Sequence, residues 1–279
     1  MAPSRHREVV VRGVRLAYPA APSLNVPGER SLAQLSSVLG QSMANPLFYE
    51  RIVPLDSSAH RKLCIRPLAA PYAFASHANL IPALVAEFGA AAPSMPVAFL
   101  PGAEKPAAVF VTGFKPDQNV FVGADGKWTG DYVPAYLRRY PFIMGDVPNG
   151  QPILCIDASA AALGDEGVKL FSHDGKPEPA LTQALQLADD YRINAQRTDE
   201  FCIALQRLKL FRSVTLDAKQ PDGQSTVVHG LLVVDEQVLD GLASADLEEL
   251  HRQRWLRPIY AHLLSLGSLS RLSEKLKPS

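Results

Sequence analysis

The apolar residues of segment 178–210 recur every three or four positions, among them Leu181, Leu185 and Ala188. This spacing places them along one side of an α-helix and predicts a long amphipathic helix. Pro179 suits the first turn of that helix, because an N–H at this position would have no partner within the helix. The segment is the first of two helical units that we expect in the C-terminal half.

The second helical unit runs from Ser244 towards the C-terminus. Ser244 is a candidate N-cap, and Pro258 and Gly267 are expected to kink or interrupt the helix. Between the two units, residues 213–218 and 225–235 flank the turn sequence QPDG, which predicts a β-hairpin. The C-terminal half therefore reads as helix, hairpin and helix.

The N-terminal half contains short apolar runs bounded by proline, glycine and polar residues, which is typical of short strands. The predicted strands cover residues 52–56, 63–68, 95–102, 107–114 and 152–159. Residues 119–130 predict a hairpin with its turn at Ala124-Asp125-Gly126. Residues 75–92 predict an amphipathic helix, although Pro82 opposes helix formation in its first half. The two halves together predict one compact α+β domain with a β-rich first half.

Residues 1–42 differ from the rest of the chain. They contain five arginines and two glutamates but no lysine or aspartate, with Ser, Pro and Ala between them. Met43 then precedes a segment that looks like the start of a folded domain. We expect residues 1–42 to be a dispensable extension, either a flexible tail or an over-extended start with Met43 as the true initiator; an Arg/Ser-rich targeting segment is the third interpretation. Residues 43–279 are the predicted domain.

The charge balance excludes one class of partner. Lysine plus arginine and aspartate plus glutamate both number 28, so the net charge is zero. A dedicated nucleic-acid-binding protein carries a basic excess, because contacts to phosphates supply most of its affinity. No apolar stretch reaches the roughly 18 residues that span a bilayer, and Arg12 and Arg15 interrupt the apolar run near the start before a signal-peptide core forms. We therefore expect no nucleic-acid partner, no transmembrane segment and a cytoplasmic location.

Common catalytic and metal-binding motifs are absent from the sequence. The three cysteines, Cys64, Cys155 and Cys202, form no CxxC pair, and the last two lie in apolar settings typical of buried thiols. The seven histidines include no HxH or HExxH spacing. There is also no GxSxG elbow, phosphate-binding loop or dinucleotide fingerprint. We expect no metal and no cofactor, and the sequence names no catalytic residue.

The segment YVPAYLRRYPF, residues 132–142, is the strongest candidate for a binding site. Arginine binds carboxylates and phosphates through two parallel hydrogen bonds and stacks on aromatic rings, and tyrosine and arginine are enriched where proteins bind one another. A structural interpretation competes with this one: the prolines stiffen the segment, the rings enter the core and the arginines pair internally. The candidate binding residues are Tyr132, Tyr136, Arg138, Arg139 and Tyr140.

Five collinear segments resemble the SapC family of bacterial proteins. They are LFYERIVPLDS, FASHANLIPALVAEF, YVPAYLRRYPF, LCIDAS and LEELHRQRWLRPIYAHLLSLGSL, and the resemblance covers nearly all of residues 43–279. It implies a relation to bacterial surface layers, and so an association with the surface layer through signal-independent export. It also implies a genomic neighbourhood of TonB-dependent receptors and flavin-dependent tryptophan halogenases, a setting of nutrient uptake or peptide modification. The family is distinct from the peptide-transporter permease of the same name, and it brings no catalytic residues to this chain.

Two functional hypotheses follow. The first is a soluble, non-catalytic protein, S-layer-related or accessory, whose arginine and tyrosine residues contact an acidic or peptide partner. The alternative is an enzyme or cofactor-dependent accessory that acts on a peptide or small molecule. Its groups would converge from distant positions, and the candidates are His77, Glu87, Asp157, His229 and Asp235.

Overall fold

The structure is a computed structural model that describes residues 45–147, 150–219 and 225–275. The expectations for residues 1–42 and for the turn QPDG fall outside these ranges. Up to residue 171 the described chain forms short strands joined by loops and short helical turns, and it then forms a long helix, a hairpin and further helices. It has the predicted mixed α+β composition.

The strands are β1 Ile52–Pro54, β2 Cys64–Ile65, β3 Leu80–Pro82, β4 Val97–Leu100, β5 Ala107–Val111, β6 Phe142–Gly145, β7 Ile153–Asp157, β8 Leu163–Gly164, β9 Val168–Lys169, β10 Phe211–Lys219 and β11 Ser225–Val234. The α-helices are α1 Phe88–Ala91, α2 Ala135–Arg138, α3 Pro179–Arg207, α4 Glu236–Asp240, α5 Ser244–Arg252, α6 Leu256–Ser265 and α7 Leu269–Glu274. Single 3₁₀ turns occupy Ala73–Ala75, Val85–Glu87 and Leu266–Ser268.

Strand pairing is antiparallel in all three sheets of the described chain. The largest sheet has the order β10-β11-β4-β5-β3, and two smaller sheets have the orders β1-β7-β6 and β8-β2-β9. The predicted C-terminal hairpin is confirmed as β10 and β11, with Phe211 opposite Val234 at its base. Strand β11 joins the rest of its sheet by pairing with β4, where Leu232 lies opposite Phe99.

The main core lies where the five-stranded sheet meets α3 and the C-terminal helices. Phe99 of β4, Phe88 of α1 and Phe201 of α3 are fully buried and pack ring against ring, with centroids 6.0 to 6.4 Å apart. Trp255, just before α6, adds an edge contact to Phe201 at 6.2 Å. Aromatic pairs at this spacing stabilise a core beyond their buried area.

Helix α6 completes the hydrogen bonding of the large sheet. His262 is fully buried; its Nδ1 lies 3.1 Å from the carbonyl oxygen of Val97, and its Nε2 accepts the N–H of Val234 at 3.1 Å. Ser265 Oγ accepts the N–H of Val97 at 2.9 Å. The helix thus satisfies backbone groups that would remain unpaired inside the protein, which is a costly arrangement for a buried N–H or C=O.

The helix predicted over residues 75–92 was wrong in its first half. Leu80–Pro82 forms β3 instead, an edge strand that pairs with β5, and Pro82 lies opposite Val109. An edge strand tolerates proline because one side of its backbone has no strand partner. Helical structure begins only at Val85 and ends at Ala91. The pairing with β5 therefore overrides the helical spacing of the apolar residues.

Three smaller expectations also need correction. Residues 119–130 turn back at the predicted position, but only the bridge between Val122 and Trp128 forms in place of a hairpin ladder. The strand expected over 63–68 shortens to β2. Ser244 is the first residue of α5 rather than its N-cap, because the extended residue Ala243 takes that position. The break before α6, which carries Pro258 in its first turn, and the interruption at Gly267 are as predicted.

Candidate functional site

The geometry of residues 132–142 separates the two arginines. Pro134 precedes the single-turn helix α2, Arg138 is the last residue of that helix, and Arg139 caps it. Successive residues of a helix are about 100° apart around its axis, so adjacent side chains leave it in different directions. Arg139 points into the protein and is 2% exposed, whereas the side chain of Arg138 is 43% exposed.

Arg139 lies within a cage of three tyrosine rings. Its Cζ is 3.9 Å from the ring centroid of Tyr191 on α3, 4.6 Å from that of Tyr136 and 5.6 Å from that of Tyr49. A guanidinium over an aromatic face gains roughly 2 kcal/mol when the pair is desolvated. The cage therefore ties α2 to α3 and to the start of the described chain, which is the structural role considered from the sequence.

The tyrosines of the cage also hold the backbone around it. Tyr49 Oη donates to the carbonyl of Phe142 at 2.8 Å, and Tyr136 Oη donates to the carbonyl of Leu47 at 2.9 Å. Burial raises the pKa of Tyr49 far above its ordinary value. Its phenol therefore stays neutral and keeps its donor hydrogen at any physiological pH. Tyr136 is fully buried, so neither it nor Arg139 presents a surface to a partner.

Glu87 is a buried carboxylate that anchors the start of α2. Its Oε1 accepts the N–H of Ala135 at 2.6 Å and the hydroxyl of Tyr132 at 2.8 Å, and its Oε2 accepts the N–H of Leu84 at 3.1 Å. Burial raises the pKa of Glu87, while these hydrogen bonds oppose the shift. Burial, together with the negative charge of Glu87, raises the pKa of Tyr132 to about 12. Glu87 thus fixes Tyr132 as a hydroxyl donor at the protein surface.

Contacts to Val133 and Tyr132 hold the side chain of Arg138 at the protein surface. Its Nε donates to the carbonyl of Val133 at 3.0 Å, its Nη2 donates to Tyr132 Oη at 3.3 Å, and its Cζ lies 5.8 Å from the ring centroid of Tyr132. Glu87 Oε1 is 3.9 Å from Nη2 and supplies a buried negative charge. Within the described residues Nη1 makes no hydrogen bond, so the outer edge of the guanidinium remains open to solvent.

Tyr140 belongs to a second polar arrangement, centred on Asp157. Tyr140 Oη donates to Asp157 Oδ2 at 3.2 Å, and the same carboxylate accepts the backbone N–H groups of Glu50, Arg51 and Ser159 and the hydroxyl of Ser159. Burial alone would raise the pKa of Asp157, but the hydrogen bonds from Ser159, Glu50 and Arg51 hold it below its usual value. Asp157 therefore joins the loop before β1 to the end of β7.

A row of partly exposed rings borders the arginine segment. Tyr140 stacks on Phe74 with centroids 4.3 Å apart, Phe48 meets Phe74 at 5.2 Å, and Tyr72 meets Phe74 at 6.4 Å and Trp128 at 6.1 Å. We call these five residues the aromatic row. Phe48 has φ +75°, a left-handed conformation that costs on the order of 1 kcal/mol or more for a bulky side chain. The surrounding contacts therefore hold Phe48 in place against backbone strain.

The candidate catalytic residues have mainly structural surroundings. Asp235 accepts the N–H groups of Gln237 and Val238 as the N-cap of α4, and His77 is exposed. The side chain of His229 lies outside the described part of the chain. Among His77, Glu87, Asp157 and Asp235, no hydrogen bond joins any two in the ranges that the structure covers. The same ranges contain no group of three or more His, Cys, Asp or Glu residues placed to hold a metal ion.

The three cysteines are buried and unbridged, as their apolar settings indicated for Cys155 and Cys202. Burial raises the pKa of each of these two thiols to about 12, so neither is a thiolate at neutral pH. Among the described residues, no helix is both long and apolar enough to cross a bilayer.

Sequence reasoning missed most of the arginine cage. Tyr49 and Tyr191 lie far from the arginine pair in the chain, and only the packing of α3 against the first loop brings them together. Glu87 did carry a signal, because it is the only charged residue between positions 78 and 103. A lone carboxylate in an apolar run predicts a buried acceptor with specific donors.

Comparison with known proteins identifies the family. No curated protein and no solved structure matches the chain significantly. The family model described as SapC matches residues 55–272, which include β2–β11, the arginine segment and most of the C-terminal helices. The chain therefore belongs to the SapC family.

Proposed function

We propose that this SapC-family protein is a non-catalytic binding protein whose Arg138 and Tyr132 contact an acidic group of a partner protein or peptide. The observation that carries the proposal is the contrast between the paired arginines. Arg139 is buried within the tyrosine cage. Arg138, in contrast, uses its Nε and Nη2 in hydrogen bonds to Val133 and Tyr132, while the opposite edge of its guanidinium faces solvent.

Pre-organisation supports this role for Arg138. A free arginine side chain loses much rotamer freedom when it binds, and that loss weakens the complex. Here the contacts to Val133 and Tyr132 already restrict the side chain, and Glu87 holds Tyr132 from below. A carboxylate that approaches the open edge meets a positioned donor pair, the geometry that makes arginine–carboxylate contacts strong and directional.

The partner chemistry follows from the same contacts. A carboxylate of an aspartate, a glutamate or a chain terminus fits the open edge of Arg138, and Tyr132 supplies an adjacent aromatic surface. Tyr140, a partly exposed member of the candidate set, would extend the contact to the other rings of the aromatic row. The proposed setting is a surface-layer or uptake assembly, with the protein acting from the cytoplasm or after signal-independent export.

The test compares three full-length proteins: wild type, Arg138→Ala and Arg66→Ala. Arg66 is the matched control, since it is also an exposed arginine whose Nε donates to a backbone carbonyl, that of Ala161 at 3.3 Å. Each protein is used as bait in its native host, and the retained proteins are quantified by mass spectrometry. The proposal expects a partner retained by wild type and Arg66→Ala and lost with Arg138→Ala.

A partner list that is unchanged in Arg138→Ala, with an unchanged melting temperature, would overturn the proposal. Arg138→Lys sharpens the result, because lysine keeps the charge but lacks the planar pair of donors. Recovery of binding with lysine would mean that charge alone is recognised. A co-purifying small molecule in place of a protein would favour the enzyme hypothesis.

A further inference from the structure

The outer face of helix α6 carries large apolar side chains in solvent. Ile259, His262 and Ser265 form the inner face of the helix, which packs on the large sheet and the main core. Tyr260 and Leu264 lie on the opposite face, because each is two positions from His262 and therefore about 200° away around the helix axis. Tyr260 is 53% exposed and Leu264 is 76% exposed, the highest value among large apolar side chains in the described ranges.

Four exposed arginines lie at the start of that helix, and we call them the arginine patch: Arg197, Arg252, Arg254 and Arg257. Arg197 of α3 reaches the turn between α5 and α6, where its Nη2 donates to the carbonyl of Gln253 at 3.1 Å. Arg252 and Arg254 are the neighbours of Gln253 in the chain. Arg257 lies in the first turn of α6 and shares the outer face with Leu264, which follows seven positions later.

The positive charge of the arginine patch is not neutralised by described parts of the protein. Within those parts, Arg252, Arg254 and Arg257 make no hydrogen bond or ion pair, and Arg197 donates to a backbone carbonyl rather than to a carboxylate. Residues 251–273 contain four arginines and no acidic residue, in a chain whose net charge is zero. Arg257 also lies near the N-terminus of α6, where the helix dipole disfavours a cation.

We infer that this face binds the surface of an anionic phospholipid membrane. Helix α6 then lies along the bilayer interface, with Leu264 inserted at the boundary between headgroups and acyl chains and Tyr260 at the level of the headgroups. The arginine patch contacts lipid phosphates, which a guanidinium binds through paired hydrogen bonds. The protein attaches peripherally, through one helix face and the turn before it.

The arrangement of charge favours a membrane over a second copy of the chain. A symmetric dimer built on α6 would bring two arginine patches together, and like charges weaken such a contact. A protein partner would need a pocket shaped for Leu264, whereas a fluid bilayer accepts a protruding apolar side chain without one. The inference uses none of the residues proposed for the partner site at Arg138, so either proposal can fail without the other.

Co-sedimentation of the full-length protein with lipid vesicles tests the inference. The vesicles contain phosphatidylcholine alone or a three-to-one mixture of phosphatidylcholine and phosphatidylglycerol, and binding is measured at low and at high salt. The protein should bind the anionic vesicles at low salt and lose most of that binding at high salt, because salt screens exposed charges. Binding to the uncharged vesicles should be weak.

A pair of double variants with the same net charge locates the contact. Arg254→Gln with Arg257→Gln removes two charges from the patch, and Arg61→Gln with Arg66→Gln removes two from exposed positions around β2. One arginine near an anionic membrane contributes about fivefold in affinity, so the patch variant should bind about 25-fold more weakly than wild type. The control should bind nearly as wild type, and both should keep the wild-type melting temperature.

The apolar part of the face is tested at Leu264, with Val168 of β9 as the control. Val168 is 57% exposed, and it lies on a different element. Leu264→Gln should weaken binding about tenfold, the loss expected when a buried leucine contact is removed, and Val168→Gln should not. The native cysteines are buried, so a polarity-sensitive dye can be attached to Leu264→Cys or Val168→Cys. Anionic vesicles should shift the dye emission to the blue only at position 264.

Four results would overturn the inference. Wild type that does not bind anionic vesicles has no such surface. Equal weakening in the two double variants would mean that net charge, rather than the arginine patch, sets the affinity. An unshifted dye at position 264 on vesicles that do bind the protein would assign the contact to another face. A dimer that forms without lipid and is abolished by Leu264→Gln would make a second copy the occupant.

Discussion

The buried His262 predicts a stability that falls as the solution becomes acidic. Burial lowers the pKa of His262 to about 4, against an ordinary value of 6.5. In the folded protein the neutral ring donates through Nδ1 to Val97 and accepts at Nε2 from Val234. A proton on Nε2 would remove that acceptor and place a charge in the core. The unfolded chain therefore binds this proton first as the pH falls, and the folded state loses stability.

The size of the effect follows from the two pKa values. The contribution of His262 to the free energy of unfolding is fully present above pH 6.5 and is lost progressively as the pH falls toward 4. Below that value the loss from this residue levels off. A shift of this size corresponds to about 3 kcal/mol in total, and about 2 kcal/mol of it is lost between pH 7.5 and pH 5.0. This is a large share of the 5–15 kcal/mol typical of a whole domain.

Urea denaturation at pH 7.5 and pH 5.0 measures the loss, with wild type, His262→Gln and His251→Gln compared. Glutamine keeps a donor and an acceptor but does not titrate, so the loss between the two pH values should shrink by about 2 kcal/mol in His262→Gln. His251 is exposed, and its substitution should leave the loss as in wild type. An equal loss in wild type and His262→Gln would refute the assignment, because carboxylates elsewhere titrate identically in both.

Two further predictions concern stability at neutral pH. Arg139→Ala should lower the free energy of unfolding by about 3–5 kcal/mol, because it empties a buried cage, while Arg138→Ala should change it by less than about 1 kcal/mol; similar losses in chemical denaturation would contradict the cage. Gly126→Ala should lower the free energy of unfolding by about 1–3 kcal/mol, since Gly126 has φ +71° and an added Cβ would lie 2.5 Å from the Cβ of Ala70. Gly164→Ala is its control, because an added Cβ there meets nothing within 4 Å, and equal shifts in melting temperature would count against this reasoning.

The sequence correctly predicted those elements in which the local sequence pattern and the tertiary contacts favour the same secondary structure. Helix α3 has a continuous apolar side and a proline in its first turn, and the hairpin of β10 and β11 has strong strand residues on both sides of its turn. Residues 80–82 show the opposite case. Their apolar spacing fits a helix, but pairing with β5 supplies hydrogen bonds that a local pattern does not reveal.

The arginine pair shows why the site was harder to predict than the fold. Arg138 and Arg139 have the same chemistry and nearly the same sequence neighbours, yet one is exposed and the other buried. Rings from Tyr49 and Tyr191, distant in sequence, decide which one enters the core. A local motif indicates which kinds of contact its side chains can make, whereas tertiary packing decides which side chain enters the core and which faces solvent.

The closure of the large sheet by α6 has a consequence for biosynthesis. His262 and Val97 are 165 positions apart, so β4 leaves the ribosome long before the helix that satisfies its backbone. At about 5–20 residues per second the interval is roughly 10–30 s. During this time the nascent chain carries β4 without its final hydrogen-bonding partners, which are exposed groups that other strands bind readily. Yield during expression should therefore respond to chaperones that shield the nascent chain until residue 262 has emerged.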